Sequence, residues 1–429
     1  MTARELAFRL LQKAEKNDQF INLALDHALS ASELSDADRA LCAALVYGVT
    51  ERRITLDARI AARSDRPTDA LDLGVRTALR LGLYQLFFMD RIPNHAALNE
   101  TVSLVPRKSA GFVNAVLRAS LRNPDLPLPD AETDEVDYLS LKYSVCRPLA
   151  EKLLADFGRA ECEALLDAFG QVPPTTLSVN TLKITRRELA EKIPDATPTP
   201  ISPGGLYVKG AIRSLFGFEE GLFFVQDEAS QIAVEALGAM PGETVMDICS
   251  CPGSKSFGTA IRMQNKGQIR SYDLHEKKLP LIDAGARRLG IEIITAAVRD
   301  GRDPLPDLFG TADRVLCDVP CSGFGVLSKK PELRYKNPAA SAALPDIQLA
   351  ILENACRYVK AGGVLVYSTC TVFSEENEGN VTRFLSRHPE FTLEPFCVGA
   401  LSVPTGSITL LPHVHHTDGF FVAKFKKQG

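Results

Sequence analysis

No long hydrophobic run occurs in this 429-residue sequence, and that absence excludes a protein built on membrane-spanning helices. A helix needs about eighteen consecutive apolar residues to cross a bilayer, and no stretch approaches that length. The first residues, Met-Thr-Ala-Arg-Glu, lead into an amphipathic pattern that already carries acidic side chains, which is not typical of a signal peptide. We therefore expect a cytoplasmic protein without a membrane partner.

Paired Cys-x-x-Cys units are also missing, although the chain contains 10 cysteines. A structural zinc site is therefore not expected, and the scattered cysteines are predicted to be reduced thiols rather than a disulfide framework. The closest histidine cluster consists of His413, His415 and His416. Its polar surroundings favour a surface loop over a metal site, so we expect no bound metal.

An excess of positive charge is absent as well, since 49 Lys and Arg stand against 53 Asp and Glu. Enzymes that act on nucleic acids usually have a basic face, and here any such face has to be local. The hydrophobic fraction of 45% and charged fraction of 24% are those of a globular chain. Its length predicts two or three domains.

The first part of the chain, residues 1–125, has the pattern of a helical bundle. Apolar residues recur at helical spacing, as at Leu41, Leu45 and Val49, and proline is sparse. The segment 123–130 (Asn-Pro-Asp-Leu-Pro-Leu-Pro-Asp) cannot continue a helix, because each proline lacks the backbone donor and restrains its predecessor. We interpret this segment as an interdomain linker.

The middle part, residues 126–225, mixes helix and strand patterns. Residues 134–169 have helical spacing, whereas 176–182 and 222–225 resemble strands. Residues 194–205 are rich in proline and glycine and are predicted to form a loop. The pattern predicts a small α+β module.

The last part, residues 226–429, alternates apolar strand-like segments with helical stretches. Such alternation predicts a mostly parallel sheet covered on both faces. The candidate strands are 244–248, 268–273, 292–297, 314–319, 363–367 and 420–426.

The turn at 247–255 (Asp-Ile-Cys-Ser-Cys-Pro-Gly-Ser-Lys) joins a predicted strand to a helix predicted to begin near Ser256. Small residues at such a junction let a ligand approach the backbone and the helix N-terminus closely. The turn matches neither the dinucleotide fingerprint nor a Walker loop, because Gly253 stands alone. On spacing alone, an ordinary tight turn is as good an interpretation as a ligand site.

Acidic residues follow the next two strands. Asp273 lies one strand–helix–strand unit after the turn, where a carboxylate can accept both hydroxyls of a ribose. A lone aspartate at a strand end is more often a helix cap, but the preceding turn favours the ligand interpretation. Asp300 is a weaker candidate for the adenine side of a nucleoside.

Two further strands end in turns that carry thiols. Asp318 and Cys321 belong to 317–325 (Cys-Asp-Val-Pro-Cys-Ser-Gly-Phe-Gly), and Cys370 belongs to 365–371 (Leu-Val-Tyr-Ser-Thr-Cys-Thr). Parallel sheets bind ligands at the carboxyl ends of their strands. Either thiol alone would more often be a buried small hydrophobic residue, but two at one sheet edge predict a thiol-based site.

A basic run follows the first thiol turn, and basic residues beside a site can hold phosphates. A solvated charge run is the commoner explanation for such a segment taken alone. The candidate RNA contacts in it are Lys329, Lys330, Arg334 and Lys336.

These motifs resemble those of the RNA 5-methylcytosine methyltransferases of the Nol1/Nop2/Sun family. The segments 313–323 (Asp-Arg-Val-Leu-Cys-Asp-Val-Pro-Cys-Ser-Gly) and 367–370 (Tyr-Ser-Thr-Cys) look like its two cysteine motifs. The N-terminal part is similar to the NusB-type helical domain. That similarity is carried by Val46–Arg53, Leu81–Gln85, Arg91–Ala96 and Gly111–Arg118.

The resemblance implies a multidomain protein and an activity. The expected domains are an all-α NusB-like helical bundle (1–125), a small α+β RNA-binding module (126–225) and an α/β Rossmann-like class I methyltransferase domain (226–429). The implied activity is transfer of a methyl group from S-adenosylmethionine to carbon 5 of a cytosine in small-subunit ribosomal RNA. We expect this RNA to be unassembled or partly assembled, and the protein to be a monomer.

The resemblance also assigns residues. Cys370 matches the nucleophile that adds to carbon 6 of the base, and Cys321 matches the cysteine associated with product release. Asp318 matches the acid that stabilises or protonates the ring at N3. The residues that match the S-adenosylmethionine site are Cys249, Ser250, Cys251, Pro252, Gly253, Ser254, Lys255, Asp273, Asp300 and Asp318.

Three positions depart from the family pattern. Ser254 stands where a second glycine is usual, Cys251 where alanine is usual, and Ser178 where an arginine is common. The first two leave open a non-catalytic RNA-binding or ribosome-assembly factor, and the same chemistry on transfer RNA is a further alternative. Ser178 puts one RNA contact in question.

Overall fold

The structure, a computed structural model, describes residues 1–17 and 21–429, without the side chains of residues 22 and 23. The chain divides into two compact units, the first made of residues 1–171 with 327–338 and the second of residues 172–326 with 339–429. Among the helices described, none combines the length and apolar composition that crossing a bilayer requires.

The first unit is helical. In α5 the side chains of Ala78, Leu79, Leu81 and Leu83 are fully buried, so this helix is central to the bundle. The helices are α1 (Ala3–Asn17), α2 (Ile21–Ser30), α3 (Asp36–Glu51), α4 (Arg53–Ala61), α5 (Leu73–Phe88), α6 (Asn94–Ser103), α7 (Arg107–Arg122), α8 (Glu135–Tyr143) and α9 (Arg147–Phe169).

The proline-rich segment between α7 and α8 contains no helix or strand, in agreement with its interpretation as a linker. The helical stretch predicted after it is two helices, because Ser144 adopts a left-handed φ of 55° and ends α8. Both helices belong to the first unit, whereas the strands that follow belong to the second. The boundaries of the three predicted domains stay a prediction.

A segment distant in sequence, residues 327–338, completes the first unit. Arg334 is 1% exposed. Its Nη1 donates to the carbonyl oxygen of Tyr143 at 3.1 Å and its Nη2 to that of Phe169 at 2.7 Å. These carbonyls end α8 and α9, where a helix carries partial negative charge, so the buried guanidinium is stabilised there. The hydroxyl of Tyr335 contacts the last carbonyls of α3 in a similar way.

A small antiparallel sheet begins the second unit, with strand order β2-β3-β1-β4 and helix α10 packed on it. Its strands are β1 (Thr175–Val179), β2 (Thr197–Pro198), β3 (Gly205–Val208) and β4 (Phe223–Val225), and α10 is Arg186–Lys192. The predicted strands at 176–182 and 222–225 are present, the first of them shorter. The predicted loop at 194–205 contains β2, and β3 was not predicted.

A large mixed sheet forms the rest of the second unit, in the order β10-β14-β9-β8-β5-β6-β7, with β13 also paired to β14. Its strands are β5 (Thr244–Asp247), β6 (Gln268–Asp273), β7 (Ile294–Val298), β8 (Ala312–Asp318), β9 (Val359–Thr369), β10 (Phe391–Leu393), β13 (Ser407–Leu410) and β14 (Phe420–Lys427). A separate hairpin consists of β11 (Phe396–Val398) and β12 (Leu401–Val403). The helices are α11 (Glu228–Leu237), α12 (Ser254–Arg262), α13 (Leu279–Leu289), α14 (Leu344–Ala355), α15 (Glu378–Arg387) and α16 (Pro412–His415).

The central strands of this sheet are parallel, as predicted. β5 pairs with β6 on one side and β8 on the other, and β8 pairs with β9, whereas β14 runs antiparallel to β9. The strand order therefore reverses at β5. Ligands of doubly wound sheets bind at such a reversal, outside the carboxyl ends of the strands.

Replacing Arg334 by alanine is expected to lower the free energy of unfolding by roughly 1–3 kcal/mol, because two helix-terminal carbonyls lose buried donors. Urea unfolding followed by far-UV circular dichroism measures the change. Lys108→Ala, at an exposed position of α7, is the control and should have almost no effect. Equal unfolding midpoints for the two variants would contradict this role of Arg334.

Candidate active site

The turn between β5 and α12 contains the predicted ligand-binding residues 249–255. Gly253 has a φ of 107°, and a Cβ there would lie 2.6 Å from the ring of Phe257, so the position requires glycine. Ser254 is the first residue of α12 and is not in the left-handed region. The departure at Ser254 therefore introduces no backbone strain. The helix begins two residues earlier than the predicted Ser256.

Asp273, at the end of β6, is joined to this turn. Its Oδ2 accepts from the amide of Cys251 at 3.1 Å, and its Oδ1 accepts from the amide of His275 at 2.9 Å. The amide of Ser250 donates to the carbonyl of Tyr272 at 2.8 Å, which adds a second link between the two segments. A carboxylate has about four acceptor positions. Each oxygen of Asp273 therefore retains capacity for a further donor.

Asp300, after β7, is paired with a neighbour in sequence. Arg302 donates from Nε to Oδ1 at 2.9 Å and from Nη2 to Oδ2 at 2.5 Å. These hydrogen bonds lower the pKa of Asp300 to about 2. The carboxylate also borders a crevice lined by Ile248 and Tyr272. Its role on the adenine side stays a prediction.

Asp318 ends β8 and lies between two donors. The Nζ of Lys255 is 2.6 Å from Oδ2, and the hydroxyl of Ser368 donates to Oδ1 at 2.8 Å. Burial of Lys255 opposes its charge, but the adjacent Asp318 carboxylate outweighs that effect and the pKa of Lys255 is raised. The ion pair joins the N-terminal turn of α12 to the end of β8.

The thiols of Cys321 and Cys370 are brought together, with their sulfur atoms 3.1 Å apart. The backbone amide of Cys370 also donates to the sulfur of Cys321 at 3.2 Å. The pKa of Cys321 is raised well above its usual range, first by the hydrogen bond with Cys370, then by burial and by the negative charges of Cys370 and Glu376. The convergence expected from the two motifs is therefore present.

Strand register and a close backbone contact explain this convergence. Asp318 of β8 lies opposite Ser368 of β9, so both chains leave the sheet at the same edge. The amide of Gly325 then donates to the carbonyl of Cys370 at 3.0 Å. A Cβ at Gly325 would lie 1.9 Å from the carbonyl oxygen of Gly419, so only glycine allows the turn to approach this closely.

Two carboxylates at the site were assigned no role from the sequence. Asp247 ends β5 and accepts from the hydroxyl of Ser256 at 2.6 Å, while Glu376 follows β9 and accepts from Ser322. Burial raises the pKa of Asp247 to about 7, and the charge of Asp318 adds to the effect. The position of Asp247 at a strand end was a usable signal. The position of Glu376, in a turn before α15, gave no such signal.

The predicted basic run lies in the segment 327–338 of the first unit. The expectation that Arg334 contacts RNA is wrong for this structure, because its guanidinium is buried and donates to two helix-terminal carbonyls. Lys329 and Lys330 are half-buried and Lys336 is exposed. Phosphate binding by these three lysines stays a prediction.

The described residues contain no group of three His, Cys, Asp or Glu side chains that could hold a metal ion. In the predicted histidine cluster, the amide of Leu411 donates to Nδ1 of His415 at 2.9 Å.

Two family models match the chain. The one described as "16S rRNA methyltransferase RsmB/F" matches residues 234–426, and the NusB family model matches residues 1–122. The first range contains both thiols and the large sheet, and the second covers α1 to α7. The predicted family resemblance and fold class are confirmed by these matches.

Curated relatives are similar over the whole length. "Probable ribosomal RNA small subunit methyltransferase B" of Synechocystis sp. is 37% identical, with 100% of both chains covered. The protein of the same name from Bacillus subtilis is 36% identical, covering 100% of this chain and 99% of its own. "Ribosomal RNA small subunit methyltransferase B" of Yersinia pseudotuberculosis is 31% identical, covering 99% and 98%.

Solved structures share the fold. The crystal structure of PH0851 has a TM-score of 0.80 at 27% identity and covers 100% of this chain and 99% of its own. NSun6 from Pyrococcus horikoshii, solved with SFG, has a TM-score of 0.59 at 24% identity and covers 65% of this chain and 97% of its own.

Asp247→Asn is expected to change how stability depends on pH. The pKa of Asp247 is about 7 in the folded protein and 3.8 in the unfolded chain. Protonation of Asp247 therefore stabilises the fold fully below pH 3.8. This contribution is lost as the pH rises toward 7. The free energy of unfolding of the variant relative to the unsubstituted protein should therefore increase over that range, by on the order of 4 kcal/mol.

Chemical denaturation at a series of pH values measures this difference. Asp283→Asn, at an exposed position of α13, is the control, and its difference should not change with pH. A constant difference for Asp247→Asn as well would show that the pKa of Asp247 is not raised.

Proposed function

Because the chain belongs to the 16S rRNA methyltransferase RsmB/F family, we propose that it methylates carbon 5 of a specific cytosine in small-subunit ribosomal RNA through a covalent cysteine adduct. The observation that carries the proposal is the pair of sulfur atoms 3.1 Å apart beside Asp318. The family consists of methyltransferases that depend on S-adenosylmethionine.

S-adenosylmethionine supplies an electrophilic methyl group on a sulfonium sulfur. We assign its site to the turn 249–255 and to Asp273, with Asp300 a candidate for the adenine side. These residues fit the cofactor, because Asp273 retains acceptor capacity for two ribose hydroxyls and the turn leads into the N-terminus of α12. Gly253 and Ser254 hold the backbone there without side-chain bulk or strain.

Cys370 is assigned as the nucleophile. Carbon 5 of cytosine is a weak nucleophile, and addition of a thiolate to carbon 6 forms a C–S bond and converts the ring into an enamine that can take up a methyl group at carbon 5. Lys255 contributes a positive charge that interacts with Cys370, which favours the thiolate. Asp318, in its protonated form, is assigned to donate a proton to N3 and so to neutralise the negative charge that thiolate addition places on the ring, and Lys255, 2.6 Å away, can return the proton to it.

Cys321 is assigned to the release step. After methyl transfer, a base such as water has to take the proton from carbon 5, and the electron pair of that C–H bond restores the double bond between carbons 5 and 6 and expels the sulfur of Cys370 as a thiolate. The sulfur of Cys321 lies within 3.1 Å of the sulfur that is expelled. It is therefore placed to assist this elimination.

The substrate base has to be unstacked to expose carbons 5 and 6, so we propose single-stranded or extruded RNA in an unassembled or partly assembled small subunit. The small sheet of β1–β4 with α10 is proposed as an RNA-binding module, together with the helical unit and Lys329, Lys330 and Lys336. The names of the curated relatives favour ribosomal over transfer RNA. We further propose that the protein acts as a cytoplasmic monomer.

Cys370→Ala is expected to abolish methyl transfer, because no adduct can form, while leaving the affinity for S-adenosylmethionine unchanged. Cys321→Ala is expected to accumulate a protein–RNA adduct that survives denaturation, because release is impaired. Tritium transfer to small-subunit RNA and denaturing gels measure the two effects. Cys397→Ala, at an exposed thiol, is the control. Full turnover by Cys370→Ala would reverse or refute the assignment.

Asp273→Asn is expected to raise the dissociation constant for S-adenosylmethionine about tenfold to hundredfold, because a hydrogen bond to a charged acceptor contributes roughly 1.5–3 kcal/mol. Isothermal titration calorimetry measures the constant, and exposed Asp283→Asn is the matched control. An unchanged constant would place the nucleoside elsewhere. Failure of the unsubstituted protein to bind would favour the non-catalytic alternative.

A further inference from the structure

Glu376, which is 3% exposed, is a buried carboxylate near the thiol pair. Its Oε2 accepts from the amide of Ser322 at 3.0 Å and its Oε1 from the hydroxyl of the same residue at 2.5 Å. The side-chain amide of Gln348 donates to Oε2 at 2.7 Å. Three donors therefore converge on this one side chain.

These contacts hold both sides of Cys321. Ser322, which follows it, is bound by Glu376, and the carbonyl of Pro320, which precedes it, accepts from Gln348 at 3.0 Å. Gln348 is itself fully buried. Glu376 and Gln348 thus fix the turn that contains Cys321.

Among the residues that the structure describes, no basic side chain forms a salt bridge with Glu376. Its charge is therefore not neutralised by a neighbouring cation. The titratable groups that face Cys321 are Cys370, Glu376 and Tyr367. Lys255 and Asp318 lie on the side of Cys370. The two thiols therefore have different surroundings, with a carboxylate near one and an ammonium near the other.

We propose that Glu376 is a positioning residue that fixes the turn from Pro320 to Ser322 and keeps Cys321 a neutral thiol while Cys370 attacks the base. This inference rests on the proposed function, in which one thiol is the nucleophile and the other acts only on release. Two thiolates 3.1 Å apart would repel each other, and either one could add to carbon 6. A fixed negative charge beside one of them leaves the other as the nucleophile.

The proposal is tested by the pH dependence of alkylation of Cys321, which needs neither RNA nor S-adenosylmethionine. Initial rates of reaction with iodoacetamide are measured for individual cysteine peptides by mass spectrometry. In Glu376→Gln, the midpoint of the pH profile of Cys321 alkylation should fall by about 1 pH unit, because the negative charge near this thiol is removed. A purely structural role would raise the rate at every pH without moving the midpoint, and that result would overturn the proposal.

Three variants serve as controls. Glu378→Gln removes an exposed charge from the same segment, and Ser322→Ala removes the hydroxyl bond without removing the charge, so neither should move the midpoint. Glu376→Asp keeps the charge and should restore most of the normal midpoint. A shift in Glu378→Gln equal to that in Glu376→Gln would also overturn the proposal.

The unsubstituted protein provides a second test if Glu376→Gln does not fold. Its Cys321 midpoint should lie above the ordinary thiol value of about 8.5, and a midpoint at or below that value would contradict the inference. Both measurements are independent of turnover. Failure of the proposed methyl transfer is instead detected by the Cys370→Ala and Cys321→Ala experiments.

Discussion

Strands β8 and β9 run parallel, with Asp318 opposite Ser368, so the turns that follow them leave the sheet at the same edge. This register places an acid and two thiols at the reversal of strand order beside β5, although Cys321 and Cys370 are separated by 49 positions in the chain. The bond between Ser368 and Asp318 and the close approach of Gly325 to Gly419 hold the register at its end. The proposed chemistry depends on this arrangement, because one base has to reach both sulfur atoms.

The electrostatics of the site follow from which elements end there. Asp247, Asp273 and Asp318 each end a parallel strand, whereas Lys255 comes from the first turn of α12. Lys255 pairs with Asp318 on the side of Cys370, and Glu376 binds the turn of Cys321. The two thiols therefore have different charged neighbours, which fits the different roles proposed for them in a reaction that forms and then breaks one C–S bond.

Much of the large sheet and of the thiol pair could be predicted from the sequence. The strand ending in Asp273 was predicted with its observed bounds, since an apolar run closes there on an acid and a turn. Strands β10 to β13 were missed, because they have only three or four residues each and no clear alternation. Arg334 was misassigned because sequence shows its charge but not the helix-terminal carbonyls that surround it. Glu376 could not be identified, because the residues that donate hydrogen bonds to it lie far away in the chain. Ser322 is in the turn after β8 and Gln348 is in α14.

The central claim is that Cys370, and not Cys321, bonds to carbon 6. RNA in which the target cytosine is replaced by 5-fluorocytosine tests it directly, because the fluorine cannot leave as a proton does and the adduct stays trapped. Mass spectrometry of the digested adduct then identifies the modified cysteine. The account predicts that the nucleotide is carried by the peptide containing Cys370, and its attachment to the peptide containing Cys321 would contradict the account.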